Sequence, residues 1–167
     1  LGRTLTWPFA IASSAVYAWV FQEAKLFGDA ALQIVFIVLA VYGWWCWGNN
    51  RNTTITQQKP SRTAKQNQIF LAIALGLIFI LLRAGLIQYT SSDVPTIDAL
   101  LTAASLIATY MSAKRWIENW IIWAIADLSY IGLYIYKDLY LTALLYGLFV
   151  VLCILGWKQW SKQMGEK

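Results

Sequence analysis

One stretch of this chain places polar and aromatic side chains where an apolar helix would carry leucines. Trp116, Asn119, Trp120, Trp123, Asp127, Tyr130 and Tyr134 recur at spacings of three and four, so a helix gathers them on one face. Asp127 lies near the middle of that run. An ionisable group at such depth is costly and usually faces an interior or a water-filled path. Two arrangements fit the stripe: an aromatic packing face with Asp127 paired to another helix, or a face that meets a ligand. The amide of Asn119 beside the carboxylate favours the ligand face. In a second apolar run Gln33 is the only strongly polar central residue. It suits either a hydroxyl or amide ligand, or a hydrogen bond to a neighbouring helix. Clustered Trp and Tyr faces suit flat rings, above all cationic ones. Asn, Gln and one carboxylate suit hydroxyls, a carboxamide or a single positive charge. With no cluster of Arg or Lys in the apolar runs, a phosphorylated ligand would be poorly compensated. The chemistry therefore points to a neutral or cationic ring-containing solute.

The elements that hold these residues are transmembrane helices. Of 167 residues, 59% are hydrophobic and 13% charged, against roughly 45–50% and 25% in soluble domains. Apolar blocks predict spans at about 7–22, 29–48, 69–88, 97–112, 117–136 and 141–157, each close to the length a bilayer requires. Runs such as IVFIVLAV and IFLAIALGLIFILL lack the period-two alternation of barrel strands. Residues 49–68 are polar, basic and without an apolar block, and read as a flexible extramembrane loop. Threading the spans from a cytoplasmic 49–68 loop collects Arg3, Arg51, Lys59, Arg62, Lys65, Lys114, Arg115, Lys158, Lys162 and Lys167 inside. Lys25, Arg83 and Lys137 are left outside or at that interface. This bias is the positive-inside pattern, so both termini of the chain are expected in the cytoplasm, and the net charge of +5 reflects topology and not nucleic-acid binding.

Several chemistries are excluded. There are no histidines, which removes imidazole acid–base work and His metal sites. Cys46 and Cys153 lie far apart in apolar blocks and read as small buried hydrophobes, with no CxxC signal. Phosphate-loop and hydrolase motifs are absent. No cofactor is expected. An integral-membrane enzyme using Asp127 or Glu118 lacks a second carboxylate at workable spacing. A membrane sensor or scaffold, in which the aromatic faces only pack helices, is the other class left open.

The chain also repeats itself. Residues 7–47 align on 120–160 without a gap, with identities at Trp7/Trp120, Tyr17/Tyr130, Leu26/Leu139, Ala30/Ala143, Leu32/Leu145, Phe36/Phe149, Val38/Val151, Leu39/Leu152, Gly43/Gly156, Trp44/Trp157 and Trp47/Trp160. Under the topology above, both copies begin and end inside, so the repeats are parallel, as in sugar-transporter architectures of the SWEET type. The expected plan is all-α: two parallel three-helix bundles joined by a linker helix, three plus one plus three. Residues 1–48 form the first repeat without its first helix, which is expected to precede this chain. A basic loop covers 49–68, the linker helix 69–88, the second repeat 89–160 and a cytoplasmic tail 161–167.

The stretches VYAWVFQEAKLFGDAALQ, VYGWWCW and IENWIIWAIADLSYIGLYIYKDLYLTALLYGLF resemble the Pnu vitamin transporters. The resemblance runs from Trp7 to Trp160 apart from the polar loop. Its more specific motifs are Asn119 followed by the Trp120/Trp123 pair, the KDLYLTALLY hairpin and the GWW ending. The resemblance implies transport of nicotinamide riboside by facilitated diffusion across the bacterial inner membrane. A cytoplasmic kinase would trap the substrate by phosphorylation, and a homotrimer would sit in the lipid bilayer. It carries over Asn119, Trp120 and Trp123 as substrate-binding positions, with Asp127, Tyr130, Gln33 and Tyr146 beside them. Other family members take thiamine, riboflavin or deoxynucleosides.

Overall fold

The computed structural model describes residues 6–23, 27–48, 59–89, 94–136, 138 and 140–165. Six helices follow in order: α1 (Thr6–Glu23), α2 (Phe27–Gly48), α3 (Lys65–Tyr89), α4 (Pro95–Ala113), α5 (Asn119–Tyr136) and α6 (Tyr140–Gly165). A helix pairs its own backbone groups, which is the requirement a lipid environment sets. The hydroxyls follow the same rule: Ser13, Ser105 and Ser129 each bond a carbonyl one turn back in their own helix. Among the described residues, α2, α3, α4 and α6 are long and apolar enough to cross a membrane. The two 18-residue helices α1 and α5 fall short of that composition. Trp, Tyr and Ser dilute both, and α5 adds Asn119 and Asp127.

The helix ends differ from the expected bounds where polar residues continue a helix. Lys65–Gln68, read from sequence as loop, form the first turn of α3. Lys158–Gly165 extend α6 well past the apolar block that ended at 157. Ile117 and Glu118, expected in the fifth span, lie in a turn before α5. At α4, Pro95 opens the helix where its missing N–H costs nothing, and Asp98 sits in the first turn, complementing the helix dipole. Residues 49–58 of the polar loop, Arg3, Lys25, Arg51, Lys137 and Lys167 of the charge bias, and the Leu26/Leu139 pair lie outside the described residues.

The chain divides into two compact units, Leu1–Lys59 with Thr109–Arg115, and Pro60–Ala108 with Trp116–Lys167. In the first, the α1–α2 hairpin closes where the Trp7 ring lies against Gly43. A Cβ placed on Gly43 would run into the Trp7 ring. Trp47 meets Trp7 edge to face at 5.4 Å between centroids and 86°. The second unit repeats the arrangement in the α5–α6 hairpin. Trp120 lies on Gly156, where a Cβ would approach to 2.6 Å, and Trp160 meets it at 5.3 Å and 78°. Small residues at helix contacts permit this close approach, and edge-to-face ring pairs favour it.

The first unit also contains the end of α4. The Trp47 indole N–H donates to the Ala113 carbonyl at 3.1 Å, satisfying one of the acceptors a helix end leaves open. Arg115 follows with φ 56°, a left-handed cap position usually given to glycine. Its guanidinium stands 4.2 Å from the Trp47 ring centroid, a cation–π contact. Lys114 lies over Tyr42 at 5.1 Å and Tyr110 at 5.9 Å. A hydrogen bond to Tyr42, set against partial burial, holds its ammonium above the ordinary lysine range.

The clasp predicts its own sensitivity. Gly156→Ala forces the Trp120 ring off the helix and should cost about 1–3 kcal/mol, lowering the thermal unfolding midpoint in detergent. Gly147→Ala on the same helix, with open space around it, should leave that midpoint unchanged or raise it.

Candidate functional site

The second unit gathers most of the expected site residues on α5 and α6. Helix α5 starts in a tight turn, where Asn119, Trp120 and Ile121 N–H groups bond the carbonyls three residues earlier. Asn119 is fully buried, and its side-chain amide donates to the Trp116 carbonyl. Trp120 occupies the clasp against Gly156, and its indole N–H is buried without a hydrogen-bond partner. Trp123 is half-buried one turn on.

Asp127 lies another turn along, 5% exposed. Its partner is Cys153 of α6, whose thiol donates to the carboxylate at 3.6 Å. Beyond it the tyrosines close together. Tyr130 and Tyr134 stack at 5.8 Å and 18°. Tyr146 of α6 leans on each at 5.1 Å and 52°, and Phe149 adds an edge contact to Tyr146. Asp127, Tyr130 and Tyr146 thus belong to one run of the α5–α6 hairpin, with Asn119, Trp120 and Trp123 towards its other end. Gln33 is half-buried on α2, in the first unit.

Two features of this site escaped the sequence reading. Cys153, taken for a small hydrophobe, is the hydrogen-bond donor to the buried carboxylate. The repeat contained the clue: Cys153 aligns with Ala40 and Asp127 with Ser14, so donor and acceptor change together between the copies. Tyr134 lies on the same stripe, outside the substrate set that the resemblance implies, and it bridges Tyr130 and Tyr146.

Chemically, the site offers one carboxylate whose described partner is a thiol, next to three tyrosine rings and a phenylalanine. Among the described residues no Lys or Arg forms an ion pair with Asp127, and no three His, Cys, Asp or Glu side chains group to hold a metal. Ring faces with one carboxylate attract a cation; a phosphate finds no counter-charge there.

The profile of the nicotinamide mononucleotide transporter family matches residues 1–162. The chain belongs to that family. Members similar to it include the riboflavin/roseoflavin transporter RibM of Streptomyces davaonensis, 25% identical over 93% of this chain and 73% of that protein. The nicotinamide riboside transporter PnuC of Escherichia coli is 18% identical over 95% of this chain and 77% of its own. PnuC of Neisseria mucosa is 22% identical over 80% and 52%. A crystal structure of the vitamin B3 transporter PnuC shares the fold, with a TM-score of 0.72, 19% identity, and coverage of 97% of this chain and 73% of that one. The relatives are transporters, and this family member is a multi-pass membrane transporter and not an enzyme.

The thiol–carboxylate contact makes a stability prediction. Cys153→Val leaves the buried Asp127 carboxylate without its donor and should cost about 1–3 kcal/mol. Adding Asp127→Leu should recover most of that loss, since replacing both partners by apolar groups removes the unmet polar group. Equal midpoints for Cys153→Val and the parent protein in thermal melts would show that the contact carries no such weight.

Proposed function

We propose that this transporter carries nicotinamide riboside across the bacterial cytoplasmic membrane by facilitated diffusion, with a cytoplasmic kinase phosphorylating the arriving substrate and holding it inside. The observation that carries this reading is the buried Asp127 carboxylate beside Tyr130, Tyr134 and Tyr146. The nicotinamide ring of the riboside is a planar cation, so one buried charge and several ring faces match it. Its phosphorylated product would meet no basic side chain in the same cluster, which favours one-way retention. Asn119, Trp120 and Trp123 extend the substrate face along α5, and the carboxamide and ribose hydroxyls suit an amide partner such as Asn119.

The same reading includes the transporter's wider organisation. The chain follows the three-plus-one-plus-three plan, with 1–48 and 89–160 as the repeats, 69–88 as the linker helix, both its termini in the cytoplasm and three copies assembled together. The repeated Trp–Gly–Trp clasps support the two-repeat plan.

Riboflavin is the second reading, favoured by the 25% identity to RibM. The two ligands differ in charge: riboflavin is neutral. Calorimetric titration of the detergent-purified protein with nicotinamide riboside, thiamine, riboflavin and nicotinamide mononucleotide separates them. Binding of the riboside with rejection of the mononucleotide is expected. Trp123→Ala should weaken that binding well before folding is affected. Asp127→Asn should weaken it roughly tenfold to a hundredfold, the range for a hydrogen bond or contact to a charged group. Riboflavin binding that is indifferent to Asp127→Asn would move the assignment to the flavin.

A further inference from the structure

The segment leading into α3 is bonded to the turn that starts α5. Within the second unit, the Ser61 carbonyl accepts the Ile117 N–H at 3.0 Å, the isolated bridge between Ser61 and Trp116. Two residues on, Thr63 gives both its N–H, at 3.0 Å, and its hydroxyl, at 2.7 Å, to the same oxygen Oε2 of Glu118. The Gln68 side-chain amide returns to the Thr63 carbonyl at 3.0 Å. The contact is partly buried: Thr63 is 5% exposed and Ile117 2%, Pro60 beside them is buried, and Glu118 is half-buried.

The chemistry of this clasp differs from that of the hairpins. Bonds to an ionised acceptor are roughly twice as strong as neutral ones, and burial reduces competition from water. Glu118 immediately precedes α5, where a carboxylate already favours the positive end of the helix. It nonetheless reaches across to a residue more than fifty positions earlier in the chain. Its neighbour Asn119 folds back onto the carbonyl of Trp116, the residue bridged to Ser61. The orientation of Asn119 therefore depends on a turn that is itself held from the α3 side.

We propose that Thr63 and Glu118 form a positioning latch that fixes the first turn of α5, and with it the orientation of Asn119 and of the substrate face beyond. The latch touches no substrate. Its role in binding rests on the reading of α5 as the substrate-bearing helix, whereas the latch itself does not.

Two measurements on the full chain test it. Amide hydrogen exchange needs no ligand: in Thr63→Val, exchange across Ile117–Ile121 should accelerate about tenfold, as loss of a charge-assisted bond implies, while Thr63→Ser stays at the parent rate. Titration with nicotinamide riboside should then show affinity falling about tenfold in Thr63→Val and Glu118→Gln, with Thr63→Ser restoring it. Glu118→Gln keeps the proposal testable if Thr63→Val folds poorly. Unchanged exchange in well-folded Thr63→Val or Glu118→Gln overturns the latch. Faster exchange with undiminished riboside affinity overturns its positioning role. If the parent protein binds none of the four solutes, the substrate assignment fails, and the latch is decided by the exchange data alone.

Discussion

Two helices can approach closely in a membrane only where one of them offers almost no side chain, and here each hairpin meets that condition by laying a tryptophan ring on a glycine. Between lipid tails and leucines there is little hydrophobic preference, so helix pairs are held by packing contact and by polar bonds. The Trp7–Gly43 and Trp120–Gly156 contacts leave no room even for a methyl group. They set the spacing of α1 against α2 and of α5 against α6. The second tryptophan of each set, Trp47 or Trp160, turns its edge to the first ring and fills the space beyond it. In the first unit Trp47 then holds the end of α4 through the Ala113 carbonyl and the Arg115 guanidinium. In the second, the same spacing brings Cys153 within reach of Asp127 and Tyr146 within reach of two tyrosines.

The two copies agree where they pack and disagree where they carry chemistry. The clasp positions Trp7/Trp120, Gly43/Gly156 and Trp47/Trp160 are identical. Asn119 aligns with Thr6, Trp123 with Ala10, Asp127 with Ser14, Tyr146 with Gln33 and Cys153 with Ala40. Even Tyr130 differs in circumstance from its identical counterpart: Tyr17 is 56% exposed, whereas Tyr130 is enclosed by two rings. An asymmetric solute needs different groups on its different sides, and a repeat supplies them only by diverging at those positions. Identity between the copies marks the clasps, and departure from it marks most of the candidate site, with Trp120 and Tyr130 common to both copies.

Much of this was legible in the sequence because the governing patterns are local. Apolar blocks located all six helices, and the three-and-four spacing on α5 identified the face that carries Asp127. The repeat pairs the clasp residues Trp7/Trp120, Gly43/Gly156 and Trp47/Trp160, although identity alone does not show that they pack on one another. What was not legible depends on contacts across the chain. Nothing in the local pattern around Cys153 distinguishes a hydrogen-bond donor from a small hydrophobe; only the position of Asp127 on the neighbouring helix does. Residues 59–68 read as loop because polar composition is the usual mark of one. Yet Lys65–Gln68 are helical, and Ser61 and Thr63 are fixed by partners more than fifty residues away. The four apolar spans were legible in another sense, since length and composition alone mark them. Helix α5 falls below that mark because its polar and aromatic residues displace the leucines a plain span would carry.

That shortfall bears on how the transporter is built. A helix rich in Asn, Asp and Tyr gains little from lipid and depends on its neighbours for its place. Helix α5 has three kinds of support. The Gly156 clasp fixes its distance from α6, the Thr63–Glu118 bonds hold its first turn, and the Cys153 thiol and the Tyr146 ring of α6 meet it further along. The first two act together on the first turn, where Glu118, Asn119 and Trp120 follow one another, and the third acts on the run from Asp127 to Tyr130. Between the clasp and the tyrosines lie Trp123, half-buried, and Asp127, buried and bonded to Cys153. In this chain the proposed substrate face and the supports share one helix: Trp120 fills the clasp and Asp127 accepts the Cys153 bond, so a substitution that alters the solute contact there also alters how α5 is held.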